Sequence, residues 1–280
     1  MNQDKKIALL IDAENISRNY RKIIMQELAK YGTTTYRRIY GDFTSGKLNW
    51  TSEDMLKYSL TPVQQYSNIS SKNKNSGKNS SDITLVIDAM DILYSGNVEG
   101  FCIVSSDSDF TKLASRLREA GMFVIGMGEE KTPLAFRKSC EKFILLDILY
   151  KDSEKDKEKK SDSKKSQPSK SDDKTKKSSK KVKEEDIKDD NKEEETAIMP
   201  WSSIVNIINT EILPELADED GWASLADVGN RLYKLYSDFD SRNYGYKKLS
   251  ELFKSDKNFE TKPAKPNPDS NLVYYLIRAK

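Results

Sequence analysis

The sequence predicts an α/β protein: a mostly parallel sheet flanked by helices, then a disordered charged linker and a small winged-helix-like α+β domain. Strand-like and helical runs alternate over residues 5–150, which is typical of a parallel sheet covered on both faces. Residues 151–195 are rich in charge and almost free of apolar side chains. The predicted domains are therefore 1–150, 151–196 and 197–280.

The N-terminal elements follow from the spacing of apolar residues. Continuous apolar or β-branched runs predict strands, and apolar residues three to four apart predict helices. The predicted strands cover residues 7–11, 34–40, 101–104, 123–125 and 143–146. The predicted helices cover residues 18–30, 82–94 and 110–120. Gly32 and Gly121 follow the first and last of these helices and favour their termination.

The middle segment contains sixteen Lys and fifteen Asp or Glu within residues 151–195. Such a chain cannot bury enough apolar surface to offset the entropy lost on ordering, so we predict that it is disordered. It is either a solvated tether or an arm that attracts RNA without sequence preference. In both cases the two flanking domains are expected to move semi-independently.

The C-terminal part predicts three helices and a hairpin. The predicted helices cover residues 201–213, 225–236 and 246–253, and the predicted hairpin pairs 259–261 with 272–277. Pro214 ends the first helix because proline disrupts a helix interior. Ser224 is the expected N-cap of the second.

The composition excludes several kinds of chemistry. The 280 residues include no histidine, which excludes imidazole as a base, acid or metal ligand. Cys102 and Cys140 both lie in apolar runs and are typical of core thiols in a reducing compartment. We see no signal peptide and no apolar run near the roughly 20 residues of a membrane span. We therefore expect a cytoplasmic protein without membrane contact, in which carboxylates carry any catalysis.

Two predicted strands end in carboxylates. Asp12 follows the strand 7–11, and Asp107 follows the strand 101–104 after two serines. Ligands of parallel α/β sheets bind beyond the carboxyl ends of the strands, so these carboxylates are expected at one edge. Asn15 and Asp109 follow closely and could add an oxygen ligand or a helix cap.

A third source of carboxylates is the helix predicted over residues 82–94. Asp82 opens it, and Asp88 lies six residues later, which is about 240° around a helix. The two cannot share a face, and we favour Asp82 for the cluster because a helix start can face the strand ends. An oxygen-rich cluster of this kind suits Mg²⁺ or Mn²⁺ and predicts metal-dependent phosphodiester hydrolysis. The alternative is that each Asp is only a turn former or helix cap.

Three stretches resemble the NYN family, the LabA-like branch of the PIN-like nucleases. They are LLIDAEN (9–15), SDITLVIDAMDIL (81–93) and IVSSDSDFTKLASRLREAGMFVIGMG (103–128). The resemblance implies a PIN-like mostly parallel sheet and a metal-dependent ribonuclease site. Its catalytic and metal-binding residues would be Asp12, Asp82, Asp107 and Asp109, with Asn15 and Asp88 as further candidates. Ser106 stands where the family commonly has Gly.

Two C-terminal stretches resemble the OST-HTH/LOTUS domain: DGWASLADVGNRL (220–232) and DFDSRNYGYKKLSELFKSDKNFE (238–260). The resemblance implies RNA binding and, in some members, protein partners. Trp222 and Tyr246 are carried over, and core packing is the favoured alternative explanation for both. Arg242, Lys247 and Lys248 could form a phosphate-facing edge or a merely solvated face.

Together these features predict a ribonuclease that a tethered RNA-binding domain directs to its substrate. Lys72 and Lys78, in the polar loop 70–81, could add contacts to the RNA backbone. Two other functions remain open at this point: a non-catalytic RNA-binding regulator with a vestigial acidic pocket, and an adaptor that binds proteins through its C-terminal domain.

Overall fold

A computed structural model describes residues 5–66, 80–162, 198–265, 270 and 272–280. Most of the polar loop 70–81, residues 163–196 of the predicted linker and residue 197 lie outside the described residues, so the predictions for them stay predictions.

The N-terminal part contains one six-stranded sheet. Its strands are β1 (Lys5–Asp12), β2 (Gly32–Gly41), β3 (Thr61–Gln64), β4 (Gly100–Val104), β5 (Phe123–Gly128) and β6 (Lys142–Leu145). All neighbouring pairs are parallel, and the strand order is β3-β2-β1-β4-β5-β6. The central strands β1 and β4 are buried over nearly their whole length. The sheet confirms the predicted α/β class.

Six helices cover the two faces of this sheet. They are α1 (Arg21–Leu28), α2 (Ser52–Tyr58), α3 (Ser80–Ser95), α4 (Thr111–Glu119), α5 (Leu134–Ser139) and α6 (Leu146–Asp162). Because side chains alternate along a strand, Leu9 packs with α1, α2 and the start of α6, whereas Leu10 packs with α3, α4 and α5. The domain therefore has two apolar layers, one on each side of the sheet.

The spacing of apolar residues missed the helices α2, α5 and α6 and the strand β3. A capping box starts α2, in which the Thr51 hydroxyl and the Asp54 carboxylate each bond the other residue's backbone N–H; this signal lies in polar residues. The strand β3 has four residues and contains Pro62, which is tolerated at a sheet edge. The helix α5 has six residues, too few for a clear period.

The helix α6 lies where the sequence predicts the end of a strand and the start of the disordered segment. Leu146, expected in a strand, begins the helix, and the helix continues through Asp162. Residues 151–162 therefore extend a helix into the segment that its composition predicts to be disordered. The helix is anchored at its start, where Leu146 is buried against the core.

The C-terminal part is a small α+β domain around its own core. Its elements are α7 (Trp201–Ile207), α8 (Leu213–Leu216), β7 (Ala223–Ser224), α9 (Leu225–Leu235), α10 (Leu249–Ser255), β8 (Phe259–Ala264) and β9 (Tyr274–Ala279). The three strands are antiparallel in the order β7-β9-β8. Ser224 caps α9 through the N–H of Asp227, as predicted. The third helix begins at Leu249 rather than 246, because a 3₁₀ turn ends at Gly245 with φ of 84°.

Pro214 does not end the first C-terminal helix. A π-helical turn over Ile208–Ile212 joins α7 to α8, and the Leu213 N–H donates to the Ile208 carbonyl five residues back. The wider turn accommodates proline at the start of α8, where its missing N–H costs little. The prediction that the helix stops before Pro214 was therefore wrong.

The two domains contact each other through residues 237–242. The Phe143 N–H on β6 donates to the Ser237 carbonyl at 2.8 Å, and the Lys142 ammonium donates to the Phe239 carbonyl at 2.7 Å. The Arg242 guanidinium forms two hydrogen bonds with the Glu27 carboxylate at 2.8 and 3.1 Å. These contacts join the two domains, and the semi-independent motion expected from the linker stays a prediction.

The helices that the structure describes include none with the length and apolar character needed to cross a bilayer.

Candidate active site

The carboxyl edge of the sheet gathers the predicted acidic residues. Ile11 on β1 pairs with Val104 on the parallel neighbour β4, so the chain segments that follow both strands leave the sheet at the same place. Asp12 is the last residue of β1, and Ser105 to Asp107 follow β4 directly. Parallel pairing thus brings together residues more than ninety positions apart in the sequence.

Three carboxylates form the core of this site. Oxygen atoms of Asp82, Asp107 and Asp109 lie within 4.8 Å of one another; we call these residues the acid trio. Asp82 lies in the first turn of α3. Asp107 caps the 3₁₀ turn Ser108–Phe110, with its carboxylate accepting the Asp109 N–H at 3.0 Å. Asp107 is therefore both a helix cap and a member of the trio, so the capping and functional interpretations hold together.

Asp12 lies outside the trio and is almost fully buried. One of its oxygens accepts hydrogen bonds from the Glu14 and Asn15 backbone N–H groups. The other accepts from the Asn15 side-chain amide at 2.8 Å and from the Ser105 hydroxyl at 2.7 Å. Burial raises the pKa of Asp12, and these hydrogen bonds oppose the increase. Its oxygens are thus occupied in holding the loop after β1.

Ser105 and Glu14 are parts of the site that the sequence reasoning missed. The Ser105 hydroxyl donates to Asp12 and accepts the Asp107 N–H at 3.0 Å, so it links the ends of β1 and β4. The Glu14 carboxylate accepts from the Ser81 hydroxyl at 2.9 Å, which ties the start of α3 to the end of β1. Both residues lie within two positions of predicted site residues, and this proximity was the available signal.

The trio carries uncompensated negative charge. Burial, together with the negative charges of Asp12, Asp107, Glu14 and Asp109, raises the pKa of Asp82 to about 7. Among the residues that the structure describes, no Lys or Arg pairs with the trio. Like charges held this close repel one another unless a proton or a cation intervenes.

The donor set fits a hard divalent cation. Asp82 and Asp107 are half-buried and Asp109 is exposed, so the trio is open to solvent on one side. The trio offers carboxylate oxygens, the ligands that Mg²⁺ and Mn²⁺ prefer.

Asp88 serves a different part of α3. Its carboxylate accepts the Tyr40 hydroxyl at 2.8 Å and pairs with the Arg38 guanidinium at 2.6 Å, both on β2. As the helical spacing predicts, Asp82 and Asp88 face different partners. Asp88 fixes the helix on the sheet.

The predicted RNA-binding residues that the structure describes are divided between the two domains. Lys72 and Lys78 lie outside the described residues. Asn15 is bound to Asp12 at the carboxyl edge. Lys247 and Lys248 are exposed before α10 in the other domain.

Arg242 and Trp222 are engaged within the structure. The Arg242 guanidinium lies 2.7 Å from the Asp240 carboxylate and 2.8 Å from the Glu27 carboxylate. Trp222 is buried, and the cations of Lys262 and Arg278 lie 3.8 and 4.6 Å from its ring. The Trp222 ring is therefore covered and offers little surface for stacking on a base.

Comparisons with known proteins identify two domains in the chain. A model of the NYN domain matches residues 6–147, just over half of the chain, and a model of the OST-HTH/LOTUS domain matches residues 202–270. A crystal structure of a Vibrio parahaemolyticus protein of unknown function aligns with a TM-score of 0.42 and 16% identity, covering 52% of this chain and 95% of that one. No curated protein matches the sequence. The two domain matches confirm both resemblances and their order.

Proposed function

Since the chain belongs to the NYN domain family, we propose that it is a ribonuclease that hydrolyses RNA phosphodiester bonds and requires a divalent cation. The observation that carries this proposal is the acid trio: three carboxylates within 4.8 Å at the carboxyl edge of the sheet, with no cationic side chain of the described residues to neutralise them. The NYN domain has a nuclease fold, and the trio lies where parallel α/β sheets bind ligands.

The chain's own residues have distinct roles in this proposal. Asp82, Asp107 and Asp109 would hold Mg²⁺ or Mn²⁺, which supplies charge neutralisation at the phosphate and favours attack by water. Asp12 and Ser105 are positioning residues, because they fix the backbone from which Asp107 projects. Glu14 adds negative potential beside Asp82 and holds the start of α3.

The second domain would supply RNA affinity. We propose residues 1–150 as the nuclease domain, 151–196 as the linker and 197–280 as the OST-HTH/LOTUS domain. Lys247 and Lys248 are exposed there and could contact phosphates. Arg242 holds the domain in place and is a positioning residue in this proposal.

The deciding experiment is a cleavage assay of the full chain on mixed single- and double-stranded RNA, with Mg²⁺, with Mn²⁺ or with a chelator. We expect cleavage with at least one cation and none with the chelator. RNA binding without cleavage under every condition would favour the regulator instead, and neither binding nor cleavage would favour the protein-binding adaptor.

A further inference from the structure

The outer face of α3 exposes large apolar side chains. Ile83, Ile87 and Tyr94 are 59%, 55% and 74% exposed. Their spacing of four and seven residues places them on one side of the helix, in a row along its axis. Such side chains are usually buried, and a row of them beside a candidate site indicates contact with a ligand.

This row begins at the acid trio. A hollow of about 260 Å³ lies against the start of α3 and is lined by Asp82, Ile83, Val86, Ile87, Asp109 and Phe110. Two of these residues belong to the trio, and the other four are apolar. The hollow is thus anionic at one end and apolar along the rest of its length.

The far end of the row carries positive charge. The Arg116 guanidinium on α4 donates to the Tyr94 hydroxyl at 3.4 Å. Lys112 is exposed one turn earlier on α4, on the same side of that helix. Asp91 is exposed on α3 between Ile87 and Tyr94, whereas Asp88 in the same stretch is paired with Arg38 on β2. An aromatic ring beside a guanidinium is an arrangement that suits a base and its phosphate.

We propose that this face of α3 is a track for single-stranded RNA that leads away from the acid trio, an inference that rests on the proposed function. The phosphate to be cleaved would lie at the trio, with the adjacent bases against Ile83 and Ile87. A base farther along would stack on Tyr94, with Arg116 beside the backbone. Ile83 and Tyr94 are about 16 Å apart along the helix, which accommodates several nucleotides of an extended strand.

The alternative occupant of an exposed apolar helix face is a second copy of the chain. A copy seated on Ile83 and Ile87 would cover the hollow and bring a second set of carboxylates close to the first, which electrostatic repulsion opposes. RNA instead complements both ends of the row, since its phosphates match the cations at one end and a cation-loaded trio at the other. The charge pattern therefore favours RNA.

The test compares KM and kcat on single-stranded RNAs of two lengths. One RNA extends several nucleotides to both sides of its cleavage site, and shorter ones keep a single nucleotide on one side or the other. We expect Tyr94→Ala to raise KM on the long RNA at least about fivefold, with kcat within twofold. Arg116→Gln should also raise KM, and more strongly at low salt. Both increases should vanish on the RNA that no longer reaches Tyr94.

Matched controls lie on the opposite face of the sheet. Leu56→Ala on α2 removes an exposed apolar side chain, and Lys22→Gln on α1 removes an exposed charge; both should leave KM within twofold. If Tyr94→Ala left KM unchanged, or raised KM equally for long and short RNAs, the proposed track would be overturned.

The failure of the track is distinguishable from that of the proposed function. If the unaltered chain cleaves no RNA, the ribonuclease proposal fails, and fluorescence anisotropy with labelled RNA in chelator then tests the track alone. Unchanged affinity of the Tyr94→Ala chain would reject it. Sedimentation that showed a dimer, converted to a monomer by Ile87→Asp, would assign this face to a second copy.

Discussion

The acid trio and the contact between the domains each gather several carboxylates, and they differ in the cations beside them. At the domain contact, burial opposes ionisation of Glu27, but hydrogen bonds from Arg242 and Lys30 outweigh it and lower its pKa. The pKa of Asp240 is also lowered, because hydrogen bonds from Arg242 and the positive charges of Arg242 and Lys142 outweigh its burial. At the trio no such cation is present among the described residues, and the pKa of Asp82 rises to about 7.

This difference separates a carboxylate group that holds the fold together from one that weakens it. Glu27 and Asp240 form ion pairs with Arg242 at 2.8 and 2.7 Å, so they contribute to stability. The trio costs stability until a proton or a cation neutralises it. A cluster that costs stability in the isolated chain is a marker for ligand binding.

The largest expected effect comes from removing one charge of the trio. We expect Asp107→Asn to lower the rate of RNA cleavage at least about a hundredfold, because metal-bound charge stabilisation is worth several kcal/mol. The fold should persist, because Asn still caps the following turn. Glu53→Gln, on the exposed surface of α2, is the control with unchanged cleavage. Cleavage by the Asp107→Asn chain within tenfold of the original would remove the trio from the mechanism.

The domain contact offers the next largest effect. Arg242→Met should lower the free energy of unfolding by about 1–3 kcal/mol, because it leaves Glu27 and Asp240 without their shared cation. Arg231→Met breaks the exposed pair with Glu215 and should cost less than about 1 kcal/mol. Denaturant titration of both variants measures the difference. Equal losses in the free energy of unfolding would mean that burying the ion pair between Arg242 and Glu27 adds no stability.

Acid should weaken the domain contact before it unfolds the domains. The pKa values of Glu27 and Asp240 are lower in the folded chain than in the unfolded chain. Their contribution is therefore fully present above the ordinary carboxyl range and is lost as the pH falls through it. Small-angle scattering between pH 7 and pH 3 should show the chain expanding. An unchanged radius of gyration over that range would show that other contacts suffice.

The smallest expected effect is a gain in stability. Because the pKa of Asp82 is raised, the folded chain binds the proton of this carboxyl group more tightly than the unfolded chain does. Ionisation of Asp82 therefore lowers the free energy of unfolding as the pH rises towards 7, and the loss persists above pH 7. Asp82→Asn should raise the free energy of unfolding by less than about 1 kcal/mol at pH 8 in chelator, since water screens a half-buried carboxylate. Near pH 4 the gain should disappear. A lower free energy of unfolding of the Asp82→Asn chain at pH 8 would indicate that ionised Asp82 stabilises the fold.

The residues explain why the core of the site was predictable and its supports were not. Asp12 ends one apolar strand, and Asp107 follows another after two serines. Parallel pairing of the two strands places both residues at the same edge of the sheet. The helical angle showed that Asp82 and Asp88 cannot share a face, and the position of Asp82 at the helix start favoured it over Asp88. The bond between Ser105 and Asp12 depends on side-chain positions across two strands, which no periodicity encodes.

The same limit applies to other parts of the chain. The prediction of independent domains considered only the charge-rich linker, whereas the contact depends on Arg242 and Glu27, which are far apart in the sequence. The helix through Pro214 depends on a π-helical turn, a local hydrogen-bond shift without a sequence period. Both are tertiary or geometric effects that override local preference.

The hydrogen bond from the Phe143 N–H to the Ser237 carbonyl helps to protect the six-stranded sheet from pairing with strands of other chains. Open sheet edges are templates for strand addition and aggregation. At one edge, β3 carries Pro62, which cannot donate a ladder hydrogen bond. At the other edge, the second domain covers β6. A chain cut after residue 162 would uncover that edge, and we expect it to self-associate at concentrations where the full chain stays dispersed.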